Sequence, residues 1–133
     1  MKRPSTKIGS AARSLALAAV ALGLAGCSHD YWVRFGFVTD APPTVIVNGD
    51  QIEIPVGYAV AVRAWPMRDE EELSSSMEVD LQSLRPGMLG VDHGLRNREF
   101  VIYGSQVGTT SVDVYFGSSY VDEITARVVP AGL

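Results

Sequence analysis

The residues of this chain that could do chemistry are one cysteine, two histidines and one dense group of carboxylates. Cys27 is the only thiol, so it is either a free thiol or a point of covalent attachment. Four consecutive acids, Asp69, Glu70, Glu71 and Glu72, offer the hard oxygen ligands that Ca²⁺ prefers. His93 is the histidine placed to act as a general base or, with Asp92, as a zinc ligand. The sequence therefore offers covalent attachment, a metal site and catalysis as hypotheses.

The acidic group is a weak candidate for a metal site. A calcium loop alternates its ligands along the chain, whereas the four acids at 69–72 are consecutive and rarely converge on one ion. A solvated acidic loop is the favoured interpretation. A zinc site at Asp92 and His93 needs further ligands, and His29 lies only two residues from Cys27. We expect no metal and no cofactor.

Nucleophilic catalysis needs a nucleophile, a base and an orienting group in one place. His93 is the candidate base, but it lies in the segment 91–94, which is typical of a turn leaving a strand. No Gly-x-Ser-x-Gly elbow is present, and the segment Gly104–Gly108 has neither that spacing nor the Lys-Ser/Thr of a phosphate-binding loop. Carboxylate pairs for glycoside hydrolysis stay open among 15 acids. We predict a non-enzyme, with a small hydrolase as the third hypothesis.

The first 26 residues have the pattern of a secretory signal peptide. Four basic residues and no acid come first, and an apolar run from Leu15 to Leu24 follows. Ten apolar residues suit the helical core of a signal peptide, but they fall short of the roughly 20 needed to span a bilayer. The basic residues are Lys2, Arg3, Lys7 and Arg13. Residues 1–26 are predicted to form a cleaved, helical signal peptide.

The end of this segment, Leu24-Ala25-Gly26-Cys27, resembles the lipobox of bacterial lipoproteins. The resemblance implies cleavage between Gly26 and Cys27 and a diacylglycerol thioether on Cys27, usually with a further acyl chain. Two or more chains give a stable membrane anchor. Ser28 in the next position implies the outer membrane of a double-membraned bacterium. The alternative is ordinary signal cleavage that leaves Cys27 as a free thiol.

Removing the signal leaves 107 residues, which is the size of one domain. That part keeps all 15 acids but only seven of the 11 basic residues, so its formal net charge is −8. Such a balance argues against nucleic acid and against anionic lipid head groups as partners. With Cys27 used as the anchor, no cysteine remains for a disulfide, and packing alone must stabilise the domain.

Alternation with a period of two residues dominates the mature chain and predicts short strands. Turn signals fall between them, such as Asn48-Gly49-Asp50, and the polar segments 66–76 and 92–98 are predicted to be loops. We expect seven or eight strands in an antiparallel β-sandwich. Residues 27–43 would hold the anchor, a first strand and a short linker, and residues 44–133 the sandwich domain. Nine segments are candidates for these strands: 31–38, 45–47, 51–54, 58–65, 77–82, 88–91, 99–103, 110–116 and 120–129.

Several turns and strands resemble the bacterial immunoglobulin-like group 2 domain. The similar residues are Val56-Gly57 before a strand, the serine-rich stretch, Leu89-Gly-Val91, and the run from Gly104 to Val114. The resemblance covers about residues 45–129 and implies an immunoglobulin-like fold. The chain lacks the tryptophan that the family places before the serine-rich element, and Trp65 lies in an earlier strand.

These patterns lead to a lipid-anchored module of the bacterial cell envelope that binds a protein or a glycan. Loops at the ends of sandwiches commonly carry recognition, so the candidate binding residues lie in the two polar loops. They are Asp69, Glu70, Glu71, Glu72, Asp92, His93, Arg96 and Arg98. The alternative is a structural or assembly subunit recruited by β-strand augmentation, with Glu123 and Arg127 guarding one strand edge. The sequence leaves open the partner, the oligomeric state and whether the domain faces the periplasm or the exterior.

Overall fold

The computed structural model of the protein describes residues 30–132, which form two β-sheets packed face to face. No helix occurs in this part of the chain, and none there could cross a membrane. The all-β class and the sandwich are confirmed, whereas the signal peptide and Cys27 lie outside the described residues. The strands are β1 (Tyr31–Phe37), β2 (Ile46–Val47), β3 (Gln51–Pro55), β4 (Ala59–Arg68), β5 (Glu71–Glu72), β6 (Val79–Ser83), β7 (Leu89–His93), β8 (Glu99–Gly104), β9 (Gly108–Phe116) and β10 (Ser119–Val129).

The first sheet has the order β1-β4-β8-β7, with β5 also paired to β4, and the second has the order β2-β3-β10-β9-β6. Residues 30–132 form ten strands where seven or eight were expected. Each candidate segment named from the sequence contains a strand, and β5, a two-residue strand in a tight hairpin with β4, is the additional one. One pair departs from the antiparallel prediction. Residues 125–129 of β10 run parallel to 51–55 of β3, because the chain returns to β3 by a long path and not by a hairpin.

Alternating side chains from both sheets meet in a single core. On β4, Val60, Val62 and Ala64 are buried, whereas Tyr58, just before the strand, is exposed. The opposite wall is supplied mainly by β9 and β10, whose residues Val112 and Ile124 are fully buried. The serine-rich segment and the turns carry little of this core, so packing between the sheets is the main source of stability.

The segment 66–76, predicted to be a loop, instead begins with the end of a strand. β4 continues through Pro66 to Arg68, and a two-residue turn then leads into β5. A proline is tolerated here because Pro66 faces Val33 at a non-hydrogen-bonded position of the β1–β4 ladder. On its other side its carbonyl accepts a hydrogen bond from the amide of Leu73 at 2.8 Å. The prediction that this segment is a long loop was therefore wrong at its N-terminal half.

The last strand, β10, lies in the middle of the second sheet, between β3 and β9. Arg127 therefore does not guard a strand edge, as the sequence had suggested, because β10 pairs with β3 over residues 125–129. Glu123 precedes that pairing and has a partner strand only on the β9 side. Arg127 instead forms an ion pair of 3.4 Å with Glu53 on the neighbouring strand. The edges of the two sheets are β1 and β7 in the first and β2 and β6 in the second.

The strand directions give the sandwich two distinct ends. Asp30 lies at what we call the N-terminal end, where the amide of Asp69 donates to its carbonyl at 2.7 Å. The turns 48–50, 69–70, 74–77, 94–97 and 117–118 lie at this same end. The far end is formed by the connections 38–45, 56–58, 84–88 and 105–107 and by residues 130–132. Both predicted recognition loops are thus at the N-terminal end.

Candidate functional site

The lipobox residues Leu24, Ala25, Gly26 and Cys27 lie outside the described residues, but the position of Asp30 limits how far they can be from the domain. Two residues separate Cys27 from Asp30 in the sequence. An extended chain spans at most about 3.6 Å per residue, so Cys27 lies within about 11 Å of Asp30. Tyr31 and Trp32 belong to β1, as predicted, and the Trp32 indole donates to the carbonyl of Asp69 at 2.6 Å. A lipid on Cys27 would hold the N-terminal end next to the membrane.

The four acids at 69–72 do not converge. Asp69 and Glu70 form the turn between β4 and β5, and Asp69 has a positive φ of 54°. Glu72 lies between two guanidinium groups, 3.6 Å from Arg34 and 3.7 Å from Arg98. Among residues 30–132, no group of three or more His, Cys, Asp or Glu side chains is placed to hold a metal ion. The cluster is therefore an exposed acidic hairpin in which Asp69 accepts from the amide of Asp30 at 3.0 Å, Glu71 lies 4.0 Å from Arg68, and Glu72 lies between two guanidinium groups.

Arg98 joins the two predicted recognition loops. Its side chain is only 8% exposed, and its Nη2 donates to the carbonyls of Ser74 at 2.6 Å and Met77 at 2.9 Å. Its backbone has a positive φ of 67°, and its carbonyl accepts from the amide of Ala64 at 2.8 Å. The guanidinium thus ties the β7–β8 hairpin to the segment 74–77. Arg98 stabilises the loops and has no donor aimed freely at a partner.

His93 has a carboxylate partner that the sequence did not indicate. Its Nε2 lies 3.4 Å from Oδ1 of Asp80, which is on β6 of the other sheet. Gln82 donates to Oδ2 of the same aspartate at 2.9 Å, and the His93 ring packs 5.1 Å from the ring of Phe100. No local motif could have indicated this pair, because the turn between the two sheets separates its members by 13 positions.

An open cleft of about 540 Å³ lies beside this pair at the N-terminal end. Its walls come from β6, from the β7–β8 hairpin and from the β9–β10 turn. They are formed by Glu78, Val79, Asp80, His93, Gly94, Leu95, Arg96, Asn97, Arg98 and Gly117. A histidine–carboxylate pair could activate a nucleophile, but this lining supplies no serine, threonine or cysteine. The cleft can therefore offer hydrogen bonds and charges to a bound group.

Asp92 does not join His93, although the two are adjacent in the sequence. Successive side chains of a strand point to opposite faces, so Asp92 lies on the outer face of the first sheet beside Tyr103. The charge of Asp92 raises the pKa of the Tyr103 phenol, first by repulsion of the phenolate and then by accepting its hydrogen bond. The zinc pair Asp92–His93 weighed from the sequence is thus not formed.

The tip of the β7–β8 hairpin, residues 94–97, presents a side chain that the sequence analysis passed over. Leu95 is fully exposed, more so than the other exposed large apolar side chains of residues 30–132. Next to it, the guanidinium of Arg96 forms no ion pair with any described residue. The available signal was an isolated leucine between a glycine and an arginine in an otherwise polar turn.

A second opening at the N-terminal end, about 670 Å³ in volume, is more acidic. It lies between the start of β1, the β2–β3 turn and the bulge in β10. The carboxylates on its wall are Asp30, Asp50 and Asp122. With the β4–β5 hairpin, these residues make the N-terminal end the acidic end of the sandwich.

Comparison with known proteins assigns no family to the chain. No protein-family model matches the chain, and no curated protein sequence matches it. Among solved structures, the chain is similar to the crystal structure of domains 4 and 5 of the S-layer protein SbsC, with 14% identity and a TM-score of 0.48. The likeness covers 71% of this chain and 54% of that one, so the chain spans about half the length of that structure. The lipobox and the group 2 resemblance stay predictions.

Proposed function

We propose that the chain is a bacterial lipoprotein whose β-sandwich is a non-enzymatic interaction module of the cell envelope. The observation that carries this proposal is the lipobox Leu24–Cys27, placed directly after a ten-residue apolar run and only four positions before β1 begins. Cys27 is then the first residue of the mature protein and carries the lipid anchor. In a double-membraned bacterium, Ser28 favours the outer membrane.

The disposition of the polar groups favours binding over catalysis. The His93–Asp80 pair faces a cleft without a hydroxyl or thiol side chain on its wall. Arg63 and Glu99 form an ion pair of 2.6 Å, so each charge already has a partner within the first sheet. The remaining groups can make contacts to a bound partner, but they lack the nucleophile that acyl transfer requires.

Under this proposal, partner contact lies at the N-terminal end, on the β4–β5 turn and the cleft beside the β7–β8 hairpin. Glu70 and Arg96 are the leading candidates, because Arg98 and Glu72 are already held by other residues of the domain. His93 is the third candidate, since its side chain is 73% exposed although it lies beside Asp80. The anchor and these loops share one end, so a bound protein or glycan would lie close to the membrane surface.

The anchor is tested by the pair Cys27→Ala and Ser28→Ala, expressed in cells fed a labelled fatty acid. We expect the native chain and the Ser28→Ala variant to incorporate the label and to sediment with membranes. The Cys27→Ala variant should lose both properties, because no other thiol can take the thioether. A Cys27→Ala protein that still carries the label would overturn the lipoprotein assignment.

The position of partner contact is tested by photo-crosslinking residues placed at Glu70 and Arg96 in living cells. A matched position on the outer face of the second sheet, such as Thr109, serves as the control. We expect crosslinked products from the first two positions, and their loss when His93 and the acids at 69–71 are replaced by alanine. Crosslinking that survives the alanine replacements would show that these loops do not bind the partner.

A structural role by strand addition is the second candidate. β6 is an edge strand of five residues that pairs only with β9. The amide of Leu84 donates to the carbonyl of Ser111, and the amide of Gly117 donates to the carbonyl of Glu78. Hydrogen bonding to β9 alternates along β6, so the amide of Ser83, next to Leu84, points away from β9. Ser83→Pro should then keep the fold and abolish recruitment into an envelope assembly, while Ser83→Ala should leave recruitment intact. Normal recruitment of a folded Ser83→Pro protein would exclude this edge.

A further inference from the structure

We propose that the tip of the β7–β8 hairpin is a second membrane contact, in which Leu95 and Arg96 dock on a zwitterionic phospholipid surface. The membrane would be the one that holds the lipid on Cys27. This inference rests on the proposed lipid anchor. It goes beyond that anchor because it assigns a protein surface, an orientation and a lipid chemistry to the domain.

The first step is that Leu95 is held out in water by a rigid turn. Gly94 donates to the carbonyl of Glu99 at 2.7 Å, and Glu99 donates back to the carbonyl of Arg96 at 3.1 Å. The Glu99 side chain is itself fixed by Arg63, and the buried guanidinium of Arg98 holds the base of the turn. The backbone of the tip therefore cannot move onto the core without breaking this ladder, and the Leu95 side chain is fully exposed. Entry into an apolar phase removes its surface from water without disturbing the turn.

The second step is the charge beside this leucine. Arg96 is the neighbouring residue, and its guanidinium forms no ion pair among the described residues. A guanidinium binds phosphate through paired hydrogen bonds, and a long side chain can reach a head group while its neighbour lies deeper. An exposed leucine next to an unpaired arginine is therefore suited to the boundary between acyl chains and lipid phosphates.

The third step is position. The hairpin tip lies at the N-terminal end of the sandwich, where Glu78 and Gly117 form the opposite wall of the cleft. Asp30 is at the same end, and the two residues between it and Cys27 allow no more than about 11 Å. If Cys27 carries the lipid, the two residues between it and Asp30 are too few to lift this end far from the bilayer. Under the proposed anchor, the surface that faces the tip is the membrane.

The charges at this end decide which lipid is favoured. Carboxylates dominate it, so an anionic surface would repel the end as a whole even while it attracts Arg96. The carboxylates at this end are Asp30, Asp50, Glu78 and Asp122, together with those of the β4–β5 hairpin. Zwitterionic head groups supply the phosphate for Arg96 without this net repulsion.

The test uses the full mature lipoprotein in phosphatidylcholine vesicles. Since Cys27 carries the lipid, Leu95→Cys creates the only free thiol, and it can be labelled with an environment-sensitive fluorophore. Val107→Cys is the matched control, because Val107 is also exposed but lies at the far end. With spin-labelled lipids in the vesicles, we expect blue-shifted, quenched emission from position 95 and unchanged emission from position 107. Added phosphatidylglycerol should weaken the quenching at 95, and high salt should restore it.

The outcomes separate this inference from the anchor. A protein that fails to float with the vesicles contradicts the lipid anchor itself. A protein that floats but shows equal, unquenched emission at both positions leaves the anchor intact and overturns the docking of Leu95. Energy transfer between labelled copies at position 95, increasing with protein density and without lipid quenching, would show a second copy of the chain on the tip and would also overturn it.

Discussion

Arg98 is the residue whose role in the folded domain differs most from the role expected from the sequence. As a charged residue in a polar turn it was a candidate for partner binding, yet its guanidinium is buried and bound to two carbonyls. Its burial depends on contacts with segment 74–77, which is distant in the sequence. A single sequence shows the charge and the turn but not the partner that the turn packs against.

Replacing Arg98 by alanine should lower the free energy of unfolding by about 1–3 kcal/mol, because the carbonyls of Ser74 and Met77 and the carboxylate of Glu72 lose their charged partner. Arg98→Gly should cost about 1 kcal/mol less, since glycine tolerates the φ of 67°. Urea unfolding followed by tryptophan fluorescence measures both. Arg96→Ala, in the same turn, should stay within about 0.5 kcal/mol. Equal effects at positions 96 and 98 would contradict the assigned role.

A second prediction at this scale concerns the phenol of Tyr103. Asp92 raises its pKa, so the folded state favours the protonated phenol. The sign follows: any stability from this pair is complete below the ordinary pKa of 10.0 and is lost as the pH rises through the raised value. Asp92→Asn should shift the ultraviolet titration of Tyr103 to lower pH, whereas Asp113→Asn should leave that residue unchanged. An unshifted titration in Asp92→Asn would contradict the contact.

Among the elements, β7 and β8 meet at a glycine that their packing requires. A Cβ on Gly90 would overlap the ring of Tyr103, its cross-strand partner. Gly90→Ala should therefore destabilise the domain by about 1–3 kcal/mol, and adding Tyr103→Ala should recover part of that loss. Thermal unfolding of the single and double variants measures the coupling. Gly87→Ala is the control, because its Cβ would meet nothing within 4 Å.

Strands could be predicted where apolar and polar side chains alternate along the chain. They could not be predicted where a strand forms only because it pairs with a neighbouring strand. The hydrophobic alternation in β4, β9 and β10 indicated those strands closely. Pro66 was expected to end the strand. Its missing amide lies on the side of β4 that faces away from β1, where β8 has ended and β5 begins, and only the order of the strands in the sheet reveals this. The same holds for β5, whose two exposed glutamates carry no strand signal and pair because the turn at Asp69 returns the chain to β4.

At the scale of the molecule, the acidic N-terminal end and the opposite end face different surroundings if Cys27 is the anchor. The C-terminal residues 130–132 are at the far end, beyond β10. An acceptor dye at the C-terminus should therefore show weaker energy transfer from a donor in the lipid head groups than a dye at position 70. Equal transfer from both positions would mean that the domain lies on its side.

Protease treatment of intact cells, with lysed cells as the control, tests whether the far end faces the exterior or the periplasm.

The whole sandwich also depends on its last strand. Ile124, Ala126 and Val128 are buried, and β10 is the only link between β3 and β9 in the second sheet. Deleting residues 124–133 should abolish cooperative unfolding, while deleting 131–133 should leave the unfolding midpoint nearly unchanged. Circular dichroism during a urea titration measures both. Cooperative unfolding of the longer deletion would show that the first nine strands can close a core without β10.

The central, parallel placement of β10 has a consequence for the time at which the domain can form. β3 is synthesised early, but its partner in the sheet is the final strand of the chain, more than 70 positions later. Until that strand is released from the ribosome, the second sheet lacks its middle and the core cannot close. If the predicted signal peptide directs export, the chain would still lack the middle of this sheet when its N-terminus enters the translocase. The late position of β10 would then delay folding until after export.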